Sequence, residues 1–309
     1  MKKDAFTLLE MIFVVVISAT LAMGSFKAMQ ALYLRSAKAK AVTDMTLRSQ
    51  IVLDQIGVFL YNRIPNSVIG YDSTSGDCDP ITELDDTKTY TVLEWLGTMD
   101  DELLKGDYDG FIDLGDSNRT SHILATKDIS KDLNSTDVNL IFAGAFDEGA
   151  EESSKACGGA FGLHHTDSNL SFSVSIDNNS TKLTDDNDSQ PEYIYEKYYL
   201  TNTAYAITRG ENLTQNDLEN NCDNGNYVFP PDINFTNTLF LFYAYQPFAG
   251  NTFCGDSSGT PDGNVSILAT DVSAFEAIYV NDTIRINIDM NRSIRGSTPV
   301  RISKQKVVF

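Results

Sequence analysis

Glu10 is the one ionisable side chain between Phe6 and Phe26, a run of 21 residues that is otherwise uncharged and mostly apolar. A carboxylate in such a helix costs about 2.5–3.5 kcal/mol at a bilayer centre and somewhat less near its edge, so it needs a cation opposite it. The other groupings with chemical potential are weaker. Gly255-Asp256-Ser257-Ser258-Gly259 has the G-x-S-x-G spacing of a nucleophilic serine. That elbow needs a strand before the serine and a helix after it, whereas Thr260-Pro261-Asp262-Gly263-Asn264 is a run of turn formers, so a loop tip is expected. Gly115-Asp116-Ser117-Asn118 offers a second serine, but no D-x-x-H near the C-terminus supplies a base, and all three histidines lie between positions 122 and 165. Asp107-Tyr108-Asp109-Gly110-Phe111-Ile112-Asp113 and Asp185-Asp186-Asn187-Asp188 gather oxygen donors of the kind calcium takes. Asp107, Asp109 and Asp113 are the calcium candidates, yet with Gly110 as position six of an EF-hand loop Lys105 would occupy position one, and solvated acid is the simpler expectation. No catalytic residue and, calcium aside, no cofactor or metal is expected.

These residues have to be carried by two very different regions. A chain of 309 residues allows one large or two modest domains and ample core. Its 23 Lys+Arg against 43 Asp+Glu give a net charge of −20, which argues against a primary role in gripping nucleic acid or anionic lipid. Residues 1–64 hold eight basic and four acidic side chains, and residues 65–309 the remaining 15 and 39. As a helix, Phe6 to Phe26 measures about 31 Å, the thickness of a hydrocarbon core. Lys2 and Lys3 would hold its start in the cytoplasm by the positive-inside bias, with everything after Lys27 on the far side. A cleaved secretory signal is the alternative, with a small-x-small site at Ala22-Met23-Gly24 before Ser25. Against it, helical patterning continues: from Lys27 to Ile64 there is no proline and one glycine, Gly57. Val42, Met45, Val52, Ile56, Phe59 or Leu60, and Ile64 recur mostly three, four or seven apart, with Arg48, Asp54, Gln55 and Arg63 between them. The expected helix runs from Phe6 to Ile64, close to 90 Å, and stops at Pro65.

In these residues the N-terminus resembles the type IV pilin and pseudopilin family: a short basic leader, a small residue, then an F-T-L-x-E opening to an apolar helix, here Lys2-Lys3-Asp4-Ala5 followed by Phe6-Thr7-Leu8-Leu9-Glu10. The resemblance implies cleavage by prepilin peptidase between Ala5 and Phe6 and N-methylation of Phe6. It also implies that Glu10, fifth in the mature chain, faces the N-terminal amine of a neighbouring subunit during assembly. Two departures stand out, Ala5 where glycine is usual and Lys27 where major pilins commonly carry proline. The implied organisation is a leader at 1–5, a transmembrane half-helix at 6–26, an amphipathic half-helix at 27–64 and an acidic head at 65–309. Implied partners are other pilins or pseudopilins through the helix, the inner membrane, crossed once, and the peptidase, with the head in the periplasm or at a filament tip or cell surface.

After Pro65 short apolar or alternating runs are separated by Asp, Asn, Ser and Gly. Strands are expected at Tyr90–Leu96, Val138–Ala143, Leu170–Ile176, Tyr193–Ile207, Thr238–Tyr245 and Val265–Leu268. Thr283 to Met290 alternates without exception and opens a hairpin closed by Val300 to Phe309, its apolar face turned to the stalk. The fold class is therefore α+β, pilin-like, a long helix on an antiparallel sheet. Leu268 to Val280 with the hairpin is similar to the end of J-type minor pseudopilins of type II secretion and of W-type minor pilins, the chain's length favouring the latter. Residues 70–260 resemble nothing recognised. Cys78, Cys157, Cys222 and Cys254 all lie in the head, and in an oxidising compartment they allow three pairings. Sequence proximity favours Cys78 with Cys157 and Cys222 with Cys254. The function expected is that of a minor structural subunit of a pilus or pseudopilus. A membrane-anchored or secreted binding protein or adhesin is the alternative, and secretion, twitching and DNA uptake stay open.

Overall fold

A computed structural model of the chain describes residues 8–72, 74–84, 90–118, 123–126, 129, 138–146, 157, 160–164, 170–177, 180–183, 193–214, 218, 222, 229–231, 233–254, 262–281 and 283–309. Helix α1 runs without a break from Leu8 to Tyr61, 54 residues and about 81 Å. It ends three residues before the expected Ile64, because the chain there is captured by a neighbouring strand. The Ile64 N–H donates to the Leu96 carbonyl at 2.8 Å and the Thr98 N–H to the Asn62 carbonyl at 2.9 Å. The Ser67 hydroxyl donates to the Ile64 carbonyl at 2.8 Å and accepts from the Leu96 N–H at 3.1 Å.

The helix has two halves. Every residue from Leu8 to Tyr33 is exposed. From Ala41 onward a stripe of Ala41, Met45, Ser49, Val52, Leu53, Ile56, Gly57 and Leu60 is buried, at the three-to-four spacing of one helix face. Val42, expected in that stripe, is 43% exposed, since it sits about 100° round the helix from Ala41.

The head follows as β1 (Ile69–Tyr71), β2 (Cys78–Pro80), β3 (Val92–Gly97), helix α2 (Asp100–Lys105), β4 (Asp113–Asn118), β5 (Ile123–Ala125), β6 (Asn139–Phe142), β7 (Ser171–Asp177), β8 (Ser180–Leu183), β9 (Tyr198–Thr201), β10 (Thr203–Arg209), β11 (Leu239–Tyr245), β12 (Asn264–Ala269), β13 (Val272–Val280), β14 (Thr283–Arg292) and β15 (Val300–Val308). Where one antiparallel sheet was expected there are, among the described residues, three, ordered β12-β11-β10-β3-β1-β2, β13-β14-β15 and β4-β5-β8-β7-β6-β9. The run Tyr193–Ile207, expected as one strand, divides at Asn202: β9 pairs with β6 in one sheet and β10 with β3 and β11 in another. Residues 193–197, with Glu196 and Lys197 exposed, precede β9, and the buried Leu200, Thr201, Ala204 and Ala206 on either side of exposed Asn202 do not tell which sheet each part enters.

The first core lies between α1, the β13-β14-β15 sheet and one face of the β3 sheet. Met45, Val52, Leu53, Ile56 and Leu60 of α1 meet Ile284, Ile286, Ile288 and Met290 of β14 and Leu93 and Trp95 of β3. The hairpin's alternating face therefore packs on the stalk as expected. Successive β3 residues point to opposite faces, so Val92 and Leu96 belong to a second core with Ala204, Ala206, Phe240 and Phe242. A third core fills the β4–β9 sheet around Tyr108, Leu140, Phe142, Tyr198 and Leu200.

Strand β15 runs alongside α1 in the same direction. The Lys38 Nζ lies 3.4 Å from the Thr298 hydroxyl, Lys306 pairs with Asp54 at 2.7 Å, and Arg63 donates to the carbonyl of Phe309 at 3.4 Å. The helix advances about 38 Å from Lys38 to Arg63 and an extended chain about 36 Å from Thr298 to Phe309, so the two stay in step. Lys306 reaches Asp54 by crossing Gly57, where a Cβ would come within 2.8 Å of its side chain. Nearer the bare half, Arg292 binds Asp44 of α1 at 2.7 Å and Asp271 at 2.6 Å, tying helix and sheet together.

Candidate functional site

Glu10 stands on the bare half of α1, in its first turn and exposed, among Leu8, Leu9, Met11, Phe13 and Val14, which are 55–80% exposed. A helix with large apolar side chains exposed all round suits lipid rather than water, and Leu8–Tyr61 contains a stretch long and apolar enough to cross a membrane. Ala5 and Phe6 lie outside the described residues.

The acidic segment takes a definite shape. Helix α2 starts on Asp100, Asp101 and Glu102 and ends on Lys105, the order the helix dipole favours, and Gly106 closes it with φ at 81°. Asp109 accepts from the Phe111 N–H at 2.9 Å and Asp113 from the Gly115 N–H at 3.0 Å. Asp109 and Asp113 line an open groove of about 400 Å³ with Phe111, Ile112, Leu114, Gly115 and Glu196, which Asp107 does not join. Among the described residues no group of three or more His, Cys, Asp or Glu side chains converges to hold a metal ion. Asp185–Asp188 lie outside the described residues.

The serine motifs fare differently. Ser117 lies in β4, where its hydroxyl donates to the Asp113 carbonyl at 2.6 Å and accepts from the Ala125 N–H at 2.9 Å, bridging the β4–β5 pair. That is a structural use. Gly255–Gly259 lies outside the described residues.

The polar constellation that sequence reasoning missed is centred on Glu94, 1% exposed in the middle of β3 and on the same face as Val92 and Leu96. One carboxylate oxygen meets the His164 ring nitrogen, and the other accepts from the Tyr245 hydroxyl at 2.8 Å. The His164 ring lies flat on Tyr71, centroids 3.6 Å apart, with the Phe253 edge beyond it. His164 has φ of 54°, a left-handed turn conformation that aims its ring back at the sheet. Burial, and then the nearby Glu94 carboxylate, push the Tyr245 hydroxyl well above its ordinary value, so it remains a donor at neutral pH. A Glu–His pair is half of an acid–base device, yet the hydroxyl joined to it is buried Tyr245, committed as a donor to the carboxylate. The arrangement satisfies a buried acid at the centre of a sheet. The signal was present in Val92-Leu93-Glu94-Trp95-Leu96, since a lone carboxylate inside a buried apolar run has to find a partner.

Both disulfides form as sequence proximity favoured, Cys78 with Cys157 and Cys222 with Cys254. They edge the second core, which also takes in Tyr71 and Phe253. Comparison with family models, with curated proteins and with solved structures found no match to the chain.

Proposed function

We propose that the chain is a minor structural subunit of a pilin-like filament, anchored in the inner membrane by the bare half of α1 with its head on the periplasmic side. The observation that carries this reading is the continuity of α1. The helix passes through Gly24 and Ser25 without interruption, apolar and uncovered on one side of them and seated in the head further on. A disposable signal has no need to be one body with the stalk of the domain it exports. Two disulfides, both in the head, agree with export to an oxidising compartment.

In this reading prepilin peptidase cuts between Ala5 and Phe6, leaving the membrane segment in place. Glu10 then faces the amine of Phe6 on a neighbouring subunit, where little screening strengthens the pair. The role is structural, with no catalysis. An acidic head, 39 Asp+Glu against 15 Lys+Arg after residue 64, repels its own kind, so a few copies initiating or capping a filament suit it better than a dense array.

Mass spectrometry of the mature protein tests the reading: an N-terminus at N-methyl-Phe6 supports it, and one at Ser25 sinks it. Glu10→Ala is expected to leave the chain in the membrane and to impair its incorporation into filaments. Quantitative mass spectrometry of purified filaments should find it far below the principal subunit.

A further inference from the structure

We infer that the end of the head nearest the bare half of α1 is a docking surface for anionic phospholipid headgroups. The inference rests on the reading that α1 crosses a membrane, and goes beyond it. From Met11 to Thr43 the chain has no acidic residue, but it has Lys27, Arg35, Lys38 and Lys40. All four fall on the exported side within the 15–20 residues over which the positive-inside bias acts, so they work against the orientation that the disulfide-bonded head requires. Cations kept in that position call for an anionic partner.

The fold adds to them. Residues 283–309 hold six basic side chains and one acidic, and their turn between β14 and β15 descends to the same level, with Thr298 beside Lys38. Arg295 in that turn and Arg301 just after it are exposed, as are Arg35 and Lys40. Asp44 and Asp271 are taken by Arg292, and Asp289 lies diagonally across the ladder from Arg301, so among the described residues the positive charge at this end without an ion pair is that of Arg35, Lys40 and Arg295.

Distances fit a membrane surface. Arg35 and Lys38 lie about 14 and 18 Å beyond Phe26 along the helix axis. The headgroup layer occupies roughly the first 5–7 Å of that, helical side chains lean back towards the N-terminus, and the screening length is about 8 Å. Between them Met29, Leu32 and Tyr33 are 66–72% exposed, apolar and aromatic anchors at the level where a bilayer interface accepts them.

The test uses the full chain in lipid nanodiscs made either of phosphatidylcholine alone or with about 30% phosphatidylglycerol, reading amide hydrogen exchange in the turn 293–298. Exchange is expected to slow about threefold or more in the anionic discs. The protection should vanish in about 0.5 M salt and in the variant Arg295→Gln, whose exposed position leaves the thermal midpoint unchanged. Equal exchange in both lipids overturns the proposal. So does protection in phosphatidylcholine discs by added inorganic phosphate, which would make the ligand a small anion, or protection that follows the number of chains per disc, which would make it a second copy. A chain that does not enter the discs at all overturns the membrane reading together with this one, whereas entry without lipid dependence overturns this one alone.

Discussion

The two halves of α1 are one unbroken helix, but the first is bare on every side and the second is buried along a single stripe. In the first, side chains at consecutive positions from Leu8 to Ile17, Glu10 apart, are large, apolar and at least half exposed, which Leu8 allows as readily as Ile12 or Phe13 once the surrounding medium is hydrocarbon. In the second, Met45, Val52, Leu53, Ile56 and Leu60 are fully buried while Arg48, Gln50, Asp54 and Gln55 face outward. Leu47, Ile51 and Val58 are apolar and exposed in the second half too, so the difference lies in the stripe that meets the head there. An all-round distribution has no unique partner and asks for a solvent; a stripe selects a surface, here the face of β14 and β15.

A pair of truncations should separate the two halves most strongly. Ile56→Ala should destabilise the head by about 2–5 kcal/mol through lost burial and an unfilled cavity. Ile12→Ala, in the bare half, should leave head stability unchanged within about 0.5 kcal/mol. Urea unfolding of the full chain in mild detergent measures both, and a comparable loss from Ile12→Ala would show that the bare half belongs to the folded unit. Next in size, Arg292→Ala releases Asp44 and Asp271 together. With the carboxylates a quarter to a third exposed the cost should be about 1 kcal/mol, lower in high salt. The same clamp gives a pH dependence. The hydrogen bond from Arg292 holds Asp44 below its ordinary 3.8, so the clamp's contribution is fully present above that value and disappears as pH falls through the folded-state value. The acid-side decline in the urea midpoint should therefore be shallower in Arg292→Ala than in the wild type, and an unaltered slope would count against the clamp. Smallest is Gly57→Ala. Alanine adds up to about 1 kcal/mol of helix propensity, but its Cβ displaces Lys306 from Asp54, and the net change should fall within about 0.5 kcal/mol.

The disulfides mark a further difference between the regions, since all four cysteines serve the head. Closing loops of 79 and 32 residues, they restrict the unfolded chain by about 4–5 and 3–4 kcal/mol respectively on the chain-entropy account. This support is useful for a domain whose long connections between short strands would otherwise be expensive to order.

Legibility in the sequence followed the range of the interaction. The alternation Thr283 to Met290 announced a half-buried strand because the period of two is written in adjacent residues, and the amphipathic half of the stalk was the surface at hand to receive it. The separation of β9 from β10 left one local trace, the exposed turn former Asn202 between buried Thr201 and Ala204, which does not say that the two strands enter different sheets. Val42 was misplaced because a stripe read at three-to-four spacing is uncertain by one position, which is a quarter of a turn. Glu94 and His164 stand 70 residues apart, so only the acid's isolation in an apolar run hinted at a partner, and nothing named it.

By itself, the sequence determined the long helix, its membrane-length apolar half, the opposite charge of stalk and head, and the C-terminal hairpin, since each depends on residues near one another along the chain. Tertiary structure alone decided which face of the stalk is seated, how the strands divide among three sheets, that Glu94 finds its partners in His164 and Tyr245, and that the turn carrying Arg295 comes down beside Lys38. Those outcomes come from packing many weak contacts into one close-fitting arrangement, and such contacts leave no periodic trace in the chain.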